Sequence, residues 1–260
     1  MITGGASGLG LALALEAGKR GYRVALVDIH EQRAQEALQQ LAENGVEAFY
    51  CQADVRHEKD IRAAIQRLMR RWGQLDVMIN NAGVAAAGLF ETVSEDDWQW
   101  LSDINVRGVM NGCRAAIGEM KRQQNGHLVN IASMAALTPS PGLAHYSMSK
   151  AAVLALSEAL QAELSPLNIQ VTVACPSFFS TNLSESLRTP DPVSRARFEK
   201  LLKNREISAE KIAQLVWKAV AKGQFLVVPQ RQAKLTLWRK WLRPARYWQD
   251  MKQVGARVRR

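Results

Sequence analysis

Metal-ligating residues are scarce in this 260-residue chain, which has three cysteines and four histidines. Cys51, Cys113 and Cys175 lie far apart and form no metal-ligand spacing, so no metal site and no disulfide framework is expected. Each falls in a predicted strand or helix and reads as a small buried side chain. No uninterrupted apolar run approaches the roughly 18 residues that a bilayer span requires. There is no internal repeat and no low-complexity linker. The opening Met-Ile-Thr-Gly-Gly-Ala-Ser has neither the basic segment nor the apolar run of a secretory leader. A reducing cytoplasm is therefore the expected compartment, and the length fits one large domain with a sizeable core.

Acidic residues are also missing from one place. The chain carries a formal net charge of +10, but residues 231–260 hold ten Lys/Arg against one acid, Asp250. That tail accounts for +9 and leaves +1 for residues 1–230. The basicity is a C-terminal feature, and the expected division is a body of 1–230 and a basic amphipathic tail of 231–260.

Along the body, strand and helix patterns alternate. Thr3-Gly4-Gly5-Ala6-Ser7-Gly8-Leu9-Gly10 is a glycine-rich turn running directly into a good helix former. Glycines at 4, 8 and 10 allow a backbone to approach a pyrophosphate, whose charge then sits at a helix N-terminus. Only Met1 and Ile2 precede the turn, so the strand that should feed it is either very short or truncated, and truncation is the expectation. Tyr22–Asp28 is a continuous apolar run ending in an acid, the pattern of a strand buried on both faces. Asp28 lies 18 residues after Gly10, close to where an acid grips ribose hydroxyls, and it also suits a helix N-cap. A helix over 31–43, a strand over 46–51 with Asp54 beyond it, a helix over 57–72 and a strand over 75–80 follow. That strand runs into Asn80-Asn81-Ala82-Gly83. Ser94 caps a helix that carries Asn105 and continues, with a bend, toward Gln124. Strands over 127–132, 169–175 and 225–228 and helices from Tyr146 to about 165 and over 208–221 complete the series. This is a doubly wound, mostly parallel α/β sheet with helices on both faces. Residues 177–207, with Phe178-Phe179, Pro190 and Pro192, read as a lid over the ligand crevice.

The chemistry concentrates between Asn130 and Lys150. A strand end presents Ser133, and a helix start presents Tyr146 with Lys150 one turn on. Residues four apart share a helix face, and an ammonium beside a phenol favours the phenolate, lowering its pKa from about 10. A phenol so tuned exchanges a proton with an alcohol or a carbonyl. A lone Tyr-x-x-x-Lys is more often a helix-surface pair, and the upstream motifs change that reading.

The glycine turn, Asp28, Asp54, Asn-Asn-Ala-Gly, Asn105, Ser133, Tyr-x-x-x-Lys and Pro176 with Thr181 follow in one fixed order. The set resembles the short-chain dehydrogenase/reductases of the single-domain type, over residues 1 to about 228. The resemblance implies that Tyr146 is the general acid/base, and that Lys150 lowers its pKa and bonds the nicotinamide ribose. Ser133 would hold the substrate oxygen, and Asn105 would bind a water linking Lys150 to solvent. It further implies cofactor contacts from Thr3, Gly4, Ser7, Gly8, Leu9, Gly10, Asp28, Asp54, Val55, Asn81, Ala82, Gly83, Pro176 and Thr181, besides Tyr146 and Lys150. Ser177 stands where the family has glycine. The Asp28 carboxylate repels a 2'-phosphate, and neither Ser7 nor Ile29 supplies a cation, so NAD is expected over NADP. The expected function is hydride transfer between NAD(H) and a secondary alcohol or ketone. Alcohol oxidation is the expected direction. Ala135, Ala136, Leu137, Leu143, Phe178 and Phe179 suggest a lipophilic substrate. The family also implies a homodimer or homotetramer. The competing reading is a non-catalytic dinucleotide-binding or interaction protein that uses the tail.

In that tail Leu235, Trp238, Trp241 and Leu242 recur at helical spacing, Pro244 restarts the helix, and Trp248, Met251 and Val254 extend the stripe. The stripe could pack on the chain's own body or on a neighbouring subunit. It could also dock on an anionic membrane surface. Specific nucleic-acid binding is not expected, since nothing resembles a base-reading module.

Overall fold

The computed structural model describes residues 1–179, 182–202 and 207–259. Seven strands form one parallel sheet: β1 (Ile2–Thr3), β2 (Val24–Asp28), β3 (Ala48–Gln52), β4 (Val77–Asn80), β5 (Gly126–Ile131), β6 (Ile169–Ala174) and β7 (Leu226–Val227). Their order is β3-β2-β1-β4-β5-β6-β7, so the winding reverses between β1 and β4. Crevices outside the carboxyl ends of strands at such a reversal are where these sheets bind ligands. The doubly wound expectation holds, and every pairing is parallel.

β1 is two residues long, yet it pairs on both sides: Ile2 lies opposite Leu26 and Ile79, and the Ile79 amide donates to the Met1 carbonyl at 2.9 Å. Short as it is, the strand closes the centre of the sheet. β2 begins two residues later than its apolar run, and the Tyr22 ring before it packs at a tilt on Trp217, 4.9 Å between ring centres. β3 also begins late. Asn44-Gly45 turns the chain with Gly45 at φ +71°, and the Val46 amide still closes the preceding helix on the Leu41 carbonyl.

Helices α1 (Gly8–Lys19) and α2 (Glu31–Glu43) cover one face of the sheet, and α3 (Glu58–Trp72) covers the other. α4 (Glu95–Ser102) is capped by Ser94, whose hydroxyl accepts from the Asp97 amide at 3.1 Å. The expected bend is a turn of π-helix over Asp103–Arg107, joining α4 to α5 (Gly108–Gln123). Such insertions mark functional positions, and this one holds Asn105. A short α6 (Met134–Leu137), which the sequence pattern did not suggest, precedes the long α7 (Ala144–Leu164). Beyond β6 lie α8 (Pro192–Leu202) and α9 (Ala209–Val220), and the tail forms α10 (Arg231–Leu242) and α11 (Pro244–Val258).

Two apolar cores flank the sheet, one under α1, α2 and α9 and one under α3, α5 and α7. A third, smaller core gathers Ala85–Ala87, Leu101, Leu143, Tyr146, Leu187, Phe198 and Leu202 at the carboxyl edge. It joins the loop after β4 to Leu187 and to α8.

Gly112 shows how tightly α5 lies on the sheet. A Cβ there would sit 1.8 Å from Asn80 Oδ1, and Asn80 Nδ2 donates to Asn130 Oδ1 at 2.8 Å. Glycine to alanine inside a helix ordinarily stabilises by roughly 0.5–1 kcal/mol. Here the added methyl must displace a buried amide, and Gly112→Ala is expected to destabilise by about 1–3 kcal/mol. Urea unfolding of the variant measures the sign directly.

Candidate active site

A cleft of about 680 Å³ runs along the carboxyl ends of the strands. One wall is the glycine turn. Gly4 has φ +60°, and a Cβ there would come within 2.8 Å of the Ala82 backbone. A Cβ at Gly10 would meet the Gly4 carbonyl oxygen at 2.0 Å. Glycine is thus required at 4 by the conformation and at 10 by the approach of α1 to its own turn. Asn81 fixes the turn to the other half of the sheet, its Nδ2 donating to the Thr3 and Gly4 carbonyls at 3.0 Å each. In return, Thr3 Oγ1 accepts from the Asn81 and Ala82 amides at 3.0 and 3.2 Å.

Of the residues expected to contact the cofactor, Gly4, Ser7, Gly8, Leu9, Asp28, Asp54, Val55, Asn81, Ala82, Gly83 and Pro176 line the cleft. Thr3 and Gly10 do not; they shape the turn from behind. Thr181 lies outside the described residues. Asp28 is not the N-cap of α2, a position taken by His30. Its two oxygens accept from the Ala6 and His30 amides at 3.1 Å each, which ties the end of β2 to the glycine turn. Burial pushes the Asp54 carboxyl up, but hydrogen bonds from Arg56 outweigh this and hold it below the usual range.

At the other end stand Ser133, Tyr146 and Lys150, all lining the cleft and all buried. Ser133 is the N-cap of α6, its Oγ accepting from the Ala135 amide at 3.1 Å and donating to the Pro176 carbonyl at 3.4 Å. Lys150 Nζ lies 5.9 Å from the centre of the Tyr146 ring and donates to the Ile131 carbonyl at 3.0 Å. Burial pushes the Tyr146 phenol above its ordinary value, and the neighbouring Ser133 hydroxyl opposes this only in part. The lowering expected from Lys150 is therefore not what dominates here. Burial also pushes Lys150 down, to about 8, so its own charge is weakened.

Asn105 is fully buried behind the cleft. Its Oδ1 accepts from the Val84 amide at 2.9 Å, while Nδ2 donates to the Val84 carbonyl and to Ser149 Oγ. A Cβ on Gly83 would lie 3.2 Å from both Asn105 Oδ1 and Lys150 Nζ, so the two side chains border one small space. Both N–H groups of the Asn105 amide are engaged, which makes its side chain a clamp on the loop after β4.

The apolar end of the cleft includes Ala135, Leu143, Phe178 and Phe179, as expected, but not Ala136 or Leu137, which α6 turns elsewhere. Trp100, Ile104, Phe198 and Leu202 also line it and escaped the sequence reading. So did Arg33 and Arg56 at the far end, although both follow a strand-end acid by a few residues. Arg33 pairs with Glu185, in the segment between β6 and α8, at 2.6 Å, and Arg56 pairs with Asp54 at 2.6 Å. Ser177, at the family's glycine position, is held by its backbone: its amide donates to Gln230 Oε1 at 2.9 Å and its carbonyl accepts from Gln230 Nε2 at 3.2 Å.

A parallel sheet with a glycine-lined cradle at its winding reversal, and a buried Ser-Tyr-Lys group at the other end of one cleft, defines a nucleotide-binding oxidoreductase fold. The family model described as short chain dehydrogenase matches residues 1–192, and the chain belongs to the short-chain dehydrogenase/reductase family. It is 30% identical over 188 residues to a 3-oxoacyl-acyl-carrier-protein reductase of Staphylococcus aureus, covering 72% of this chain and 76% of the relative. It is equally 30% identical over 216 residues to a cyclopentanol dehydrogenase of Comamonas sp., covering 83% and 86%. A solved short-chain dehydrogenase/reductase from Burkholderia phymatum, in complex with NAD, superposes with a TM-score of 0.88 at 27% identity, covering 92% of this chain and 91% of that one.

The burial of Lys150 sets a stability test. Its pKa falls from 10.5 to about 8 on folding, so between these values the unfolded chain binds more protons and stability rises with pH. Below pH 8 the burial of the charged form costs stability. Lys150→Met is expected to raise the melting temperature at pH 7 by about 2–4 °C and to flatten the rise above pH 8. Calorimetry across pH checks both, and a lower melting temperature at pH 7 would count against the assignment.

Proposed function

We propose that this protein is an NAD(H)-dependent oxidoreductase that moves a hydride between nicotinamide and a lipophilic secondary alcohol or ketone. The observation that carries this reading is the placement of Ser133, Tyr146 and Lys150 at one end of a cleft whose other end carries the glycine cradle and Asp28. The cradle suits a pyrophosphate: Gly4 and Gly8 take positive φ, and the N-terminus of α1 opens on the cleft. Asp28 would accept the adenosine ribose hydroxyls, and Lys150 would reach the nicotinamide ribose. When bound, the nicotinamide supplies the hydride acceptor or donor.

The chain's own residues then handle the proton. Ser133 orients the substrate oxygen beside the Tyr146 hydroxyl. In alcohol oxidation Tyr146 accepts the hydroxyl proton at its oxygen, and in ketone reduction it returns it. A nearby positive charge lowers a phenol pKa, so a filled site relieves part of the upward push that burial imposes on Tyr146. Trp100, Ile104, Leu143, Phe178, Phe198 and Leu202 give the substrate end an apolar lining, which supports a lipophilic substrate and excludes water from the proton transfer.

Arg33 and Arg56 are the cations nearest the adenosine end among the described cleft residues, and each already faces a carboxylate. That pairing, with Asp28, supports NAD over NADP. Exposed Met110 and Met148 on the long helices α5 and α7 support assembly into a homo-oligomer. A panel of secondary alcohols from short-chain to sterol-sized, assayed with both cofactors, tests the proposal. The expected result is turnover of bulky apolar alcohols with kcat/KM for NAD at least about ten-fold above that for NADP, which corresponds to about 1.4 kcal/mol. A clear NADP preference would refute the cofactor assignment.

A further inference from the structure

The tail helices turn the expected stripe outward. α10 buries Ala233 and packs Leu237 partly against the core, while Lys240 Nζ donates to the Leu137 carbonyl at 2.5 Å. On a helical wheel Leu235, Trp238 and Leu242 fall within about 60° of one another and opposite Ala233. They are 51%, 65% and 70% exposed, and Trp241 on the flank is 77% exposed. The body therefore does not cover the Leu235–Leu242 stripe, contrary to one of the two packing arrangements that the sequence allowed. α11 behaves differently: Tyr247 is buried, Met251 and Val254 are half-buried, and Trp248 is 54% exposed.

These helices are anchored. Arg197 of α8 donates to the Val258 and Arg257 carbonyls at 2.5 and 3.0 Å, Arg259 pairs with Glu91 at 2.8 Å, and Gly255 lies against Pro141. The outward aromatics are thus presented by fixed helices. Arg231, Lys234, Arg239, Arg243, Arg246 and Lys252 stand exposed around them, with Asp250 the lone acid of the tail.

We propose that α10 and the start of α11 form a docking surface for an anionic phospholipid bilayer. Tryptophan and leucine on one face, flanked by Lys/Arg, match the layered chemistry of a bilayer interface, where indoles sit at the headgroup level and cations meet lipid phosphates. A second copy of this chain would bring the same +9 tail against itself, and like charges oppose that contact. No helix among the described residues is long and apolar enough to cross a membrane, so the contact is peripheral. On their inward side both helices brace the 137–142 segment, of which Thr138 and Ser140 line the cleft, so the docking helices themselves touch an element of the substrate end. The proposal stands independently of the catalytic assignment.

The test is co-sedimentation of the full chain with phosphatidylcholine vesicles, with and without phosphatidylglycerol. The wild type should partition onto the anionic vesicles and stay free of the neutral ones. Arg239→Gln/Arg243→Gln should weaken partition about thirty-fold, at roughly 1 kcal/mol per cation. Trp238→Ser/Trp241→Ser should weaken it by at least about ten-fold, and both variants should keep the wild-type circular dichroism spectrum and turnover. The proposal fails if the wild type ignores anionic vesicles or if the aromatic variant binds them as the wild type does. It also fails if sedimentation velocity shows a wild-type oligomer that the aromatic substitutions dissolve, because a second copy then covers this face.

Discussion

Two central strands part at their carboxyl ends, and the Asn81 amide sets how far. Its two N–H groups hold the Thr3 and Gly4 carbonyls, while Thr3 Oγ1 takes the Asn81 and Ala82 amides in return. This cross-tie joins β1, which carries the glycine turn, to β4, which carries the loop toward Asn105. If it loosened, the turn and the loop would drift apart, and the cleft between them would lose its nucleotide cradle. Asn105 repeats the device one layer out, clamping Val84 from the π-helical turn. Buried amides that satisfy backbone groups on separate segments are costly to misplace, so the two asparagines make the cleft geometry a property of the folded core.

The same core buries the two groups to which the chemistry is assigned in our proposal. Lys150 and Tyr146 are both buried, and burial moves both against their charged forms. Burial lowers Lys150 to about 8 and raises the Tyr146 phenol, so each group is held toward its neutral form. Burying groups that can carry charge costs stability. Ser133 lines the same cleft from the cap of α6, its hydroxyl held between the Ala135 amide and the Pro176 carbonyl.

Much of this was legible in the residue order. Continuous apolar runs ending at Asp28 and Asn80 marked strands buried on both faces, and glycine, asparagine and serine marked where helices begin and stop. The short α6 was not legible, since four residues carry no periodicity. Nor was the third core, whose members come from five stretches between Ala85 and Leu202 and share no local pattern. That is why Trp100 and Phe198 escaped notice while Phe178 did not. Arg33 and Arg56 were missed because their relevance depends on where their ion-pair partners fall. In the tail, amphipathicity was visible, but the inward side is set by small Ala233 and by Tyr247, so the conspicuous tryptophan stripe faces out. The phenol's pKa was misjudged in direction because sequence spacing reports a neighbour and not the depth of burial.

The central claim is that the Tyr146 oxygen carries the proton. Single-turnover hydride transfer by Tyr146→Phe, with cofactor affinity measured alongside, tests it most directly, because the ring stays in the core and only the hydroxyl is lost. The account predicts a rate lower by about 10²–10⁴-fold, absence of the alkaline-rising limb that it expects in the wild-type kcat/KM profile, and cofactor binding within about two-fold of wild type. A variant that transfers hydride at the wild-type rate with an unchanged pH profile would contradict the account.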